Sequence, residues 1–170
     1  MAKQDVTFRY AVPDDAAIMV DYLETLRAEG LDTIHPPKKT VEEEREILQG
    51  IHDNPRSFFL MAIDGPRVVG LLNVQTDFRE HNQHKGALGL TLVDGYRGQG
   101  LGTQMMELAE AECRSWDGFC RMELDAVAWN AGAIALYERL GFVHEGRQIK
   151  AINLRGKPED LVMMAKVWDV

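Results

Sequence analysis

Arg97-Gly98-Gln99-Gly100-Leu101-Gly102-Thr103 is the stretch on which the reading of this chain turns. Three glycines alternate between an apolar, β-leaning run, Ala87 to Val93, and a helical pattern that begins at Leu101 and carries Met105, Leu108, Ala109 and Cys113 on one face. A helix start exposes unpaired N–H groups and the positive end of its dipole, so it holds an anion well. Glycine lets the backbone come close to a diphosphate where a Cβ would stand in the way, and Arg97 can add direct charge. The stretch is not a Walker loop, which needs Lys-Ser/Thr after its last glycine. Nor is it a dinucleotide fingerprint: Thr103 stands where the final glycine should be, and the loop lies mid-chain after a run of hairpins.

Outward from the loop, the pattern gives an α/β domain around a mixed sheet. Upstream, Thr7 to Ala11 alternates as a strand, Pro13-Asp14-Asp15 opens a helix with Asp able to cap its amides, and Gly30 ends that helix. Residues 31–39 read as a loop. Thr40-Val41-Glu42-Glu43 reads as a capping box before an amphipathic helix with Val41, Ile47, Leu48 and Ile51. Ser57 to Ile63 and Arg67 to Gln75 form a hairpin through Asp64-Gly65-Pro66, and 76–85 is a polar loop. Downstream, Arg121 to Ala128 is a strand, Asn130 caps a short helix that Gly141 closes, and two strands near 146–154 and 160–167 flank Arg155-Gly156-Lys157-Pro158. The order is β α α β β β α β α β β.

Length and composition set the bounds. The chain has 170 residues, 45% of them hydrophobic, which fits one domain with a sizeable core. A net charge of −8 argues against a nucleic-acid surface, because phosphate neutralisation needs clustered Lys and Arg. No window approaches the roughly 18 apolar residues of a membrane span, and no apolar signal core follows Met1. Cys113 and Cys120 form no metal-ligand pattern, so a reduced, cytoplasmic chain is expected. His81 and His84 share one loop without a third ligand at a fixed spacing, so no metal site is expected.

Two motifs together carry a family resemblance. Arg97-Gly98-Gln99-Gly100-Leu101-Gly102 is similar to the R/Q-x-x-G-x-G/A motif of the GCN5-related N-acetyltransferases (GNAT), and Asn130 to Phe142 resembles their second motif. With the element order, the resemblance covers nearly the whole chain. Its last segment, Glu145 to Met164, is similar to bacterial amino-acid, spermidine and ribosomal-protein acetyltransferase-like members.

The resemblance implies a GNAT-like mixed central β-sheet flanked by α-helices, with strands splayed at the acyl-CoA site, here Ala87–Val93 and Arg121–Ala128. It implies acetyl-CoA as cosubstrate and direct attack by a primary amine of a small molecule or peptide. Leu92 and Val93 would offer backbone groups to the pantetheine amides and the thioester carbonyl, where fixed N–H donors stabilise developing negative charge. Amides of Gly98, Gln99, Gly100, Leu101, Gly102 and Thr103 would hold the diphosphate, Asn130 and Ala133 would meet the pantetheine arm, and Arg139 the 3′-phosphate end.

Tyr137 is the candidate general acid, a phenol of ordinary pKa about 10 facing a thiolate of about 8.5. It stands seven positions after Asn130 and so on the same side of the helix. The glutamate that many members carry on the strand before the glycine loop is replaced here by Ala87. Some members instead carry an acid five positions before the motif asparagine, which is Asp125 here, and it is the candidate base, directly or through water. Residues 24–40, with His35, and 76–86, with His81 and His84, are expected to line the acceptor mouth. A homodimer is expected from similar proteins. The absent acid at Ala87 leaves an alternative open, a non-catalytic acyl-CoA-binding sensor or subunit of the same fold.

Overall fold

A computed structural model describes residues 5–30 and 38–170. The strands and helices follow the expected order: β1 (Thr7–Tyr10), α1 (Ala16–Ala28), α2 (Val41–His52), β2 (Phe58–Asp64), β3 (Arg67–Thr76), β4 (Lys85–Leu92), α3 (Leu101–Arg114), β5 (Arg121–Val127), α4 (Ala131–Arg139), β6 (Val143–Leu154) and β7 (Lys157–Val167). The strands form a seven-stranded sheet in the order β1-β2-β3-β4-β5-β7-β6. It is antiparallel except for β4 and β5, which run parallel because α3 crosses between them.

Local chemistry sets the helix ends. Thr40 and Glu43 close the capping box: the Glu43 N–H donates to Thr40 Oγ1 at 3.2 Å and the Thr40 N–H to Glu43 Oε2 at 2.7 Å. Asp15 does not cap α1 as expected. Its carboxylate takes both terminal nitrogens of Arg9 at 2.7 and 2.6 Å and the Val12 N–H at 2.9 Å, because a nearby guanidinium outcompetes a helix amide. The last hairpin is tighter than expected, with Arg155 and Gly156 both at positive φ, so β7 begins at Lys157.

Tyr22 and Leu26 of α1, Leu48 of α2, Leu72 of β3, Met105 and Ala109 of α3 and Met122 of β5 are buried in a continuous core. On β5, Met122, Leu124 and Ala126 are buried whereas Glu123 and Asp125 are not, as strand alternation requires. No helix among the described residues is long and apolar enough to cross a membrane.

The sheet opens at its centre. β3 and β4 stay paired from Thr76↔Gly86 to Gly70↔Leu92, and β5 and β7 stay paired along all of β5. Between them, β4 and β5 pair only at Lys85↔Arg121, Gly86↔Met122 and Ala87↔Glu123, then diverge. The expected splay is present.

Candidate active site

The splay leaves unpaired peptide groups on β4. The Val93 N–H donates to the Val69 carbonyl at 3.0 Å, which fixes the phase of the ladder. By alternation, Leu88, Leu90 and Leu92 turn their peptide groups toward the gap. Val93 departs from expectation here: it lies just beyond β4, and its carbonyl also accepts from the Tyr96 N–H at 3.2 Å, so its backbone is engaged inside the protein. The Leu92 carbonyl receives Nε and Nη2 of Arg97 at 3.0 and 2.9 Å. Arg97 also stands 3.9 Å from Glu29, so it braces the end of β4 instead of standing free beside the loop.

Five residues downstream of β4, at Arg97, the chain enters the glycine loop. Gly98 and Gly100 sit at φ +70° and +83°, and a Cβ on either would meet nothing within 4 Å, so the loop faces open space. Gly102 is glycine for a different reason. A Cβ there would lie 3.2 Å from Leu136 Cδ2 and 3.4 Å from Leu90 Cδ2, so its absence lets the head of α3 approach both α4 and β4. Gly100 caps α3 without a side-chain bond. Within the described residues, the backbone N–H groups of Gly98, Gln99, Gly100, Leu101, Gly102 and Thr103 find no acceptor; the first helical bond is from Gln104 N–H to the Gly100 carbonyl at 3.1 Å. Six amides at the positive end of a 14-residue helix are therefore unpaired.

A cavity of about 720 Å³ runs through the splay from the α4 side to the α1–α2 side; Leu90, which lies against Gly102, lines it, whereas residues 92–103 do not. On the α4 side it is lined by Asn130, Ala133 and Tyr137. Asn130 Oδ1 accepts the Ala133 N–H at 3.2 Å, so it is the N-cap of α4 and faces the cavity as well. Tyr137 is 6% exposed, and among the described residues its hydroxyl has no hydrogen-bond partner. Burial pushes this phenol up to about 12.

On the opposite face the cavity is lined by β3, β4 and β5 residues and by α1 and α2, with Asp125 and Glu123 on β5. Burial pushes Glu123 up, but Lys85 at 2.9 Å and Arg121 at 2.8 Å outweigh it and hold its carboxyl below the ordinary value. Asp125 accepts no hydrogen bond from the described residues; partial burial and the neighbouring Glu123 charge raise it above the ordinary value. Two adjacent strand acids of the same face are thus driven apart, one paired and acidic, the other unpaired and more basic.

The remaining expected residues fall elsewhere. Arg139 is exposed at the end of α4 and does not line the cavity. Cys113 is fully buried on α3, where burial pushes its thiol up to about 12, and neither cysteine lines the cavity. His81 and His84 do not reach it either; of the 76–86 region, only the flanking Gln75 and Ala87 do. His35 lies outside the described residues. Of the expected 24–40 segment, Lys39 lines the cavity; the sequence reading missed Glu44, which lines it from α2. A signal for Glu44 was available: Val41, Glu44, Leu48 and Ile51 recur at helical spacing, so the acid occupies a position on the apolar stripe.

Comparison with known proteins agrees with this geometry. The model of the acetyltransferase (GNAT) family matches residues 21–142, a span that holds the loop, the splay and Tyr137. The L-amino acid N-acetyltransferase AaaT of Escherichia coli K12 is 31% identical over 116 residues, which cover 68% of this chain and 71% of that protein. An acetyltransferase of the GNAT family from Streptococcus pneumoniae superposes with a TM-score of 0.86 at 26% identity, covering 97% of this chain and 100% of the other. The Salmonella typhimurium protein yncA, solved with its cofactor acetyl-CoA, shares the fold at a TM-score of 0.82 and 18% identity, over 96% of this chain and 94% of its own.

Proposed function

We propose, because the chain belongs to the acetyltransferase (GNAT) family and is an acyl-CoA-dependent N-acetyltransferase, that the six unpaired amides and the cavity through the splay form one site for acetyl transfer to a primary amine. The observation that carries this reading is the set of N–H groups of Gly98–Thr103 without a protein acceptor, a few residues from strands that open a passage through the sheet. Acetyl-CoA supplies the activated acyl group.

Each part of the chain then has a task. The loop amides hold the diphosphate, and Arg139 stands toward the 3′-phosphate end. The peptide groups of Leu88 and Leu90, with the N–H of Leu92, meet the pantetheine amides and the thioester carbonyl, and Asn130 and Ala133 stand on the facing wall. The acceptor enters from the α1–α2 face. Asp125 takes a proton from the ammonium, directly or through water, so that the free amine attacks the carbonyl carbon. The C–N bond forms, the C–S bond breaks as Tyr137 gives its proton to the leaving sulfur, and the second proton of the attacking nitrogen passes through water to the Tyr137 oxygen, which leaves a neutral amide, a free thiol and a reloaded Tyr137.

A phenol at about 12 stays protonated at every working pH, so the donor is always loaded. Moving its proton to a thiolate of ordinary pKa about 8.5 costs roughly 5 kcal/mol. The same dry surroundings raise the thiol's own pKa and narrow that gap, and protonation in step with C–S cleavage removes the need for a free phenolate.

The acceptor class to test first is the free L-amino acid, the class named for the Escherichia coli relative. A net charge of −8 suits a cationic acceptor and disfavours nucleic acid. We infer further that the chain works as a single domain, in the cytoplasm and as a homodimer, the last checked by light scattering on a sizing column. The test of function is incubation with acetyl-CoA and a panel of amino acids, polyamines and peptide N-termini, following free thiol. Amine-dependent thiol release supports the reading. Binding of coenzyme A with no turnover across the panel would return the chain to the sensor alternative.

A further inference from the structure

We propose that Glu44 is the carboxylate on which the acceptor's ammonium group docks before transfer, and that the acceptor is an amine carried on an apolar stem. The proposal rests on reading the cavity as the acetyl-transfer site. Glu44 belongs to α2, is 2% exposed and lines that cavity on the face away from Tyr137. Its Oε2 is wholly buried and is the side-chain N or O atom among the described residues that is buried without a hydrogen-bond partner.

The nearest cation does not satisfy it. Lys39 Nζ lies 3.6 Å away, close enough to balance charge and too far to fill an acceptor lone pair. A buried carboxylate left without donors costs more than a hydrogen bond is worth, and folds seldom retain one without a use. The shape of the surroundings narrows the use. Met19 and Leu23 of α1, Ile47 of α2 and Phe59 of β2 line the same cavity, so on this side water has few partners and an apolar stem has many. An ammonium offers three donors and a positive charge, which completes the carboxylate and turns a cost into a charge-assisted contact. Arg121, the other cation lining the cavity, is already held by Glu123 and Glu145 and does not compete.

The test uses the whole chain with phenethylamine as probe, against acetyl-CoA. Glu44→Gln keeps the shape and removes the charge. It is expected to raise the KM for phenethylamine by about 10- to 100-fold, to leave the KM for acetyl-CoA within about twofold, and to raise the melting temperature, since an unsatisfied buried charge is gone. Lys39→Met removes the competing cation and is expected to lower the KM for phenethylamine. An unchanged amine KM in Glu44→Gln overturns the proposal, as does a lower melting temperature with both KM values unmoved. If wild type binds acetyl-CoA but does not acetylate phenethylamine, the docking proposal falls and the coenzyme site stands. If acetyl-CoA does not bind at all, the reading of the cavity falls first. Should Glu44→Gln not fold, the Lys39→Met result decides: a raised amine KM there overturns the proposal.

Discussion

The backbone N–H of Phe142 donates to the carbonyl of Tyr137 at 3.0 Å, and the two rings pack with centroids 5.9 Å apart. With Gly141 N–H bonded to the Glu138 carbonyl at 3.0 Å and Gly141 at φ +89°, this is the Schellman closure of α4, complete with its apolar contact. The end of the helix and the placement of the proposed acid are therefore one device. Gly141→Ala is expected to cost about 1–2 kcal/mol, because a Cβ is strained at that φ. For a chain of this size that lowers Tm by roughly 2–8 °C, readable by calorimetry, and kcat should fall with it as the Tyr137 ring shifts.

Tyr137→Phe removes the proposed proton donor and keeps the ring contact with Phe142. Turnover followed by thiol release should drop by roughly 100-fold or more, while the affinity for coenzyme A measured by calorimetry stays near wild type. An intact rate in this variant removes Tyr137 from the chemistry.

Asp125 is the free carboxylate of its strand face, and its raised pKa sets the sign of a pH effect. A base works when deprotonated, so kcat/KM should fall as pH drops through a value above the ordinary Asp range. Asp125→Asn should lower kcat/KM at neutral pH by about 10- to 100-fold and abolish that acidic limb. A profile with the limb intact assigns the base elsewhere.

Asp15 gives a stability effect from a shift in the opposite direction. The hydrogen bonds from Arg9 hold its carboxyl below the ordinary value, against partial burial and with help from the Val12 N–H. A depressed carboxylate contributes stability above its unfolded pKa of about 4 and loses it as pH falls through the lower folded value. Melting temperature should therefore decline from about pH 4 downward, and Asp15→Asn should flatten that decline.

The loop, the strands and α4 were legible in the sequence because each has a covalent cause: glycines at positions that need positive φ, apolar runs of strand length, and a capping asparagine seven residues from a tyrosine. The splay between two of those strands came only from the family resemblance. The side-chain geometry was less legible. Nothing local to Arg97 says that its guanidinium turns back to the Leu92 carbonyl, since that contact exists only once β4 ends where it does. Val93 reads as strand by composition, yet its peptide closes onto Val69 and Tyr96. The histidines at 81 and 84 are polar and loop-borne, as expected, but the turn that carries them does not reach the cavity. Glu44 was easily overlooked for the opposite reason: a run of three glutamates in a first turn reads as a solvated, dipole-matched face, and the helical spacing with Val41, Leu48 and Ile51 is what marks the one that the fold buries.

Selective ¹⁵N-glycine labelling tests whether the amides heading α3 seat a coenzyme's diphosphate. On titration with coenzyme A, the Gly98, Gly100 and Gly102 amide signals should move, while those of Gly65 and Gly118 stay in place. Pantetheine, which lacks the diphosphate, should leave all five unmoved. Loop signals that are still during coenzyme A binding would contradict the account.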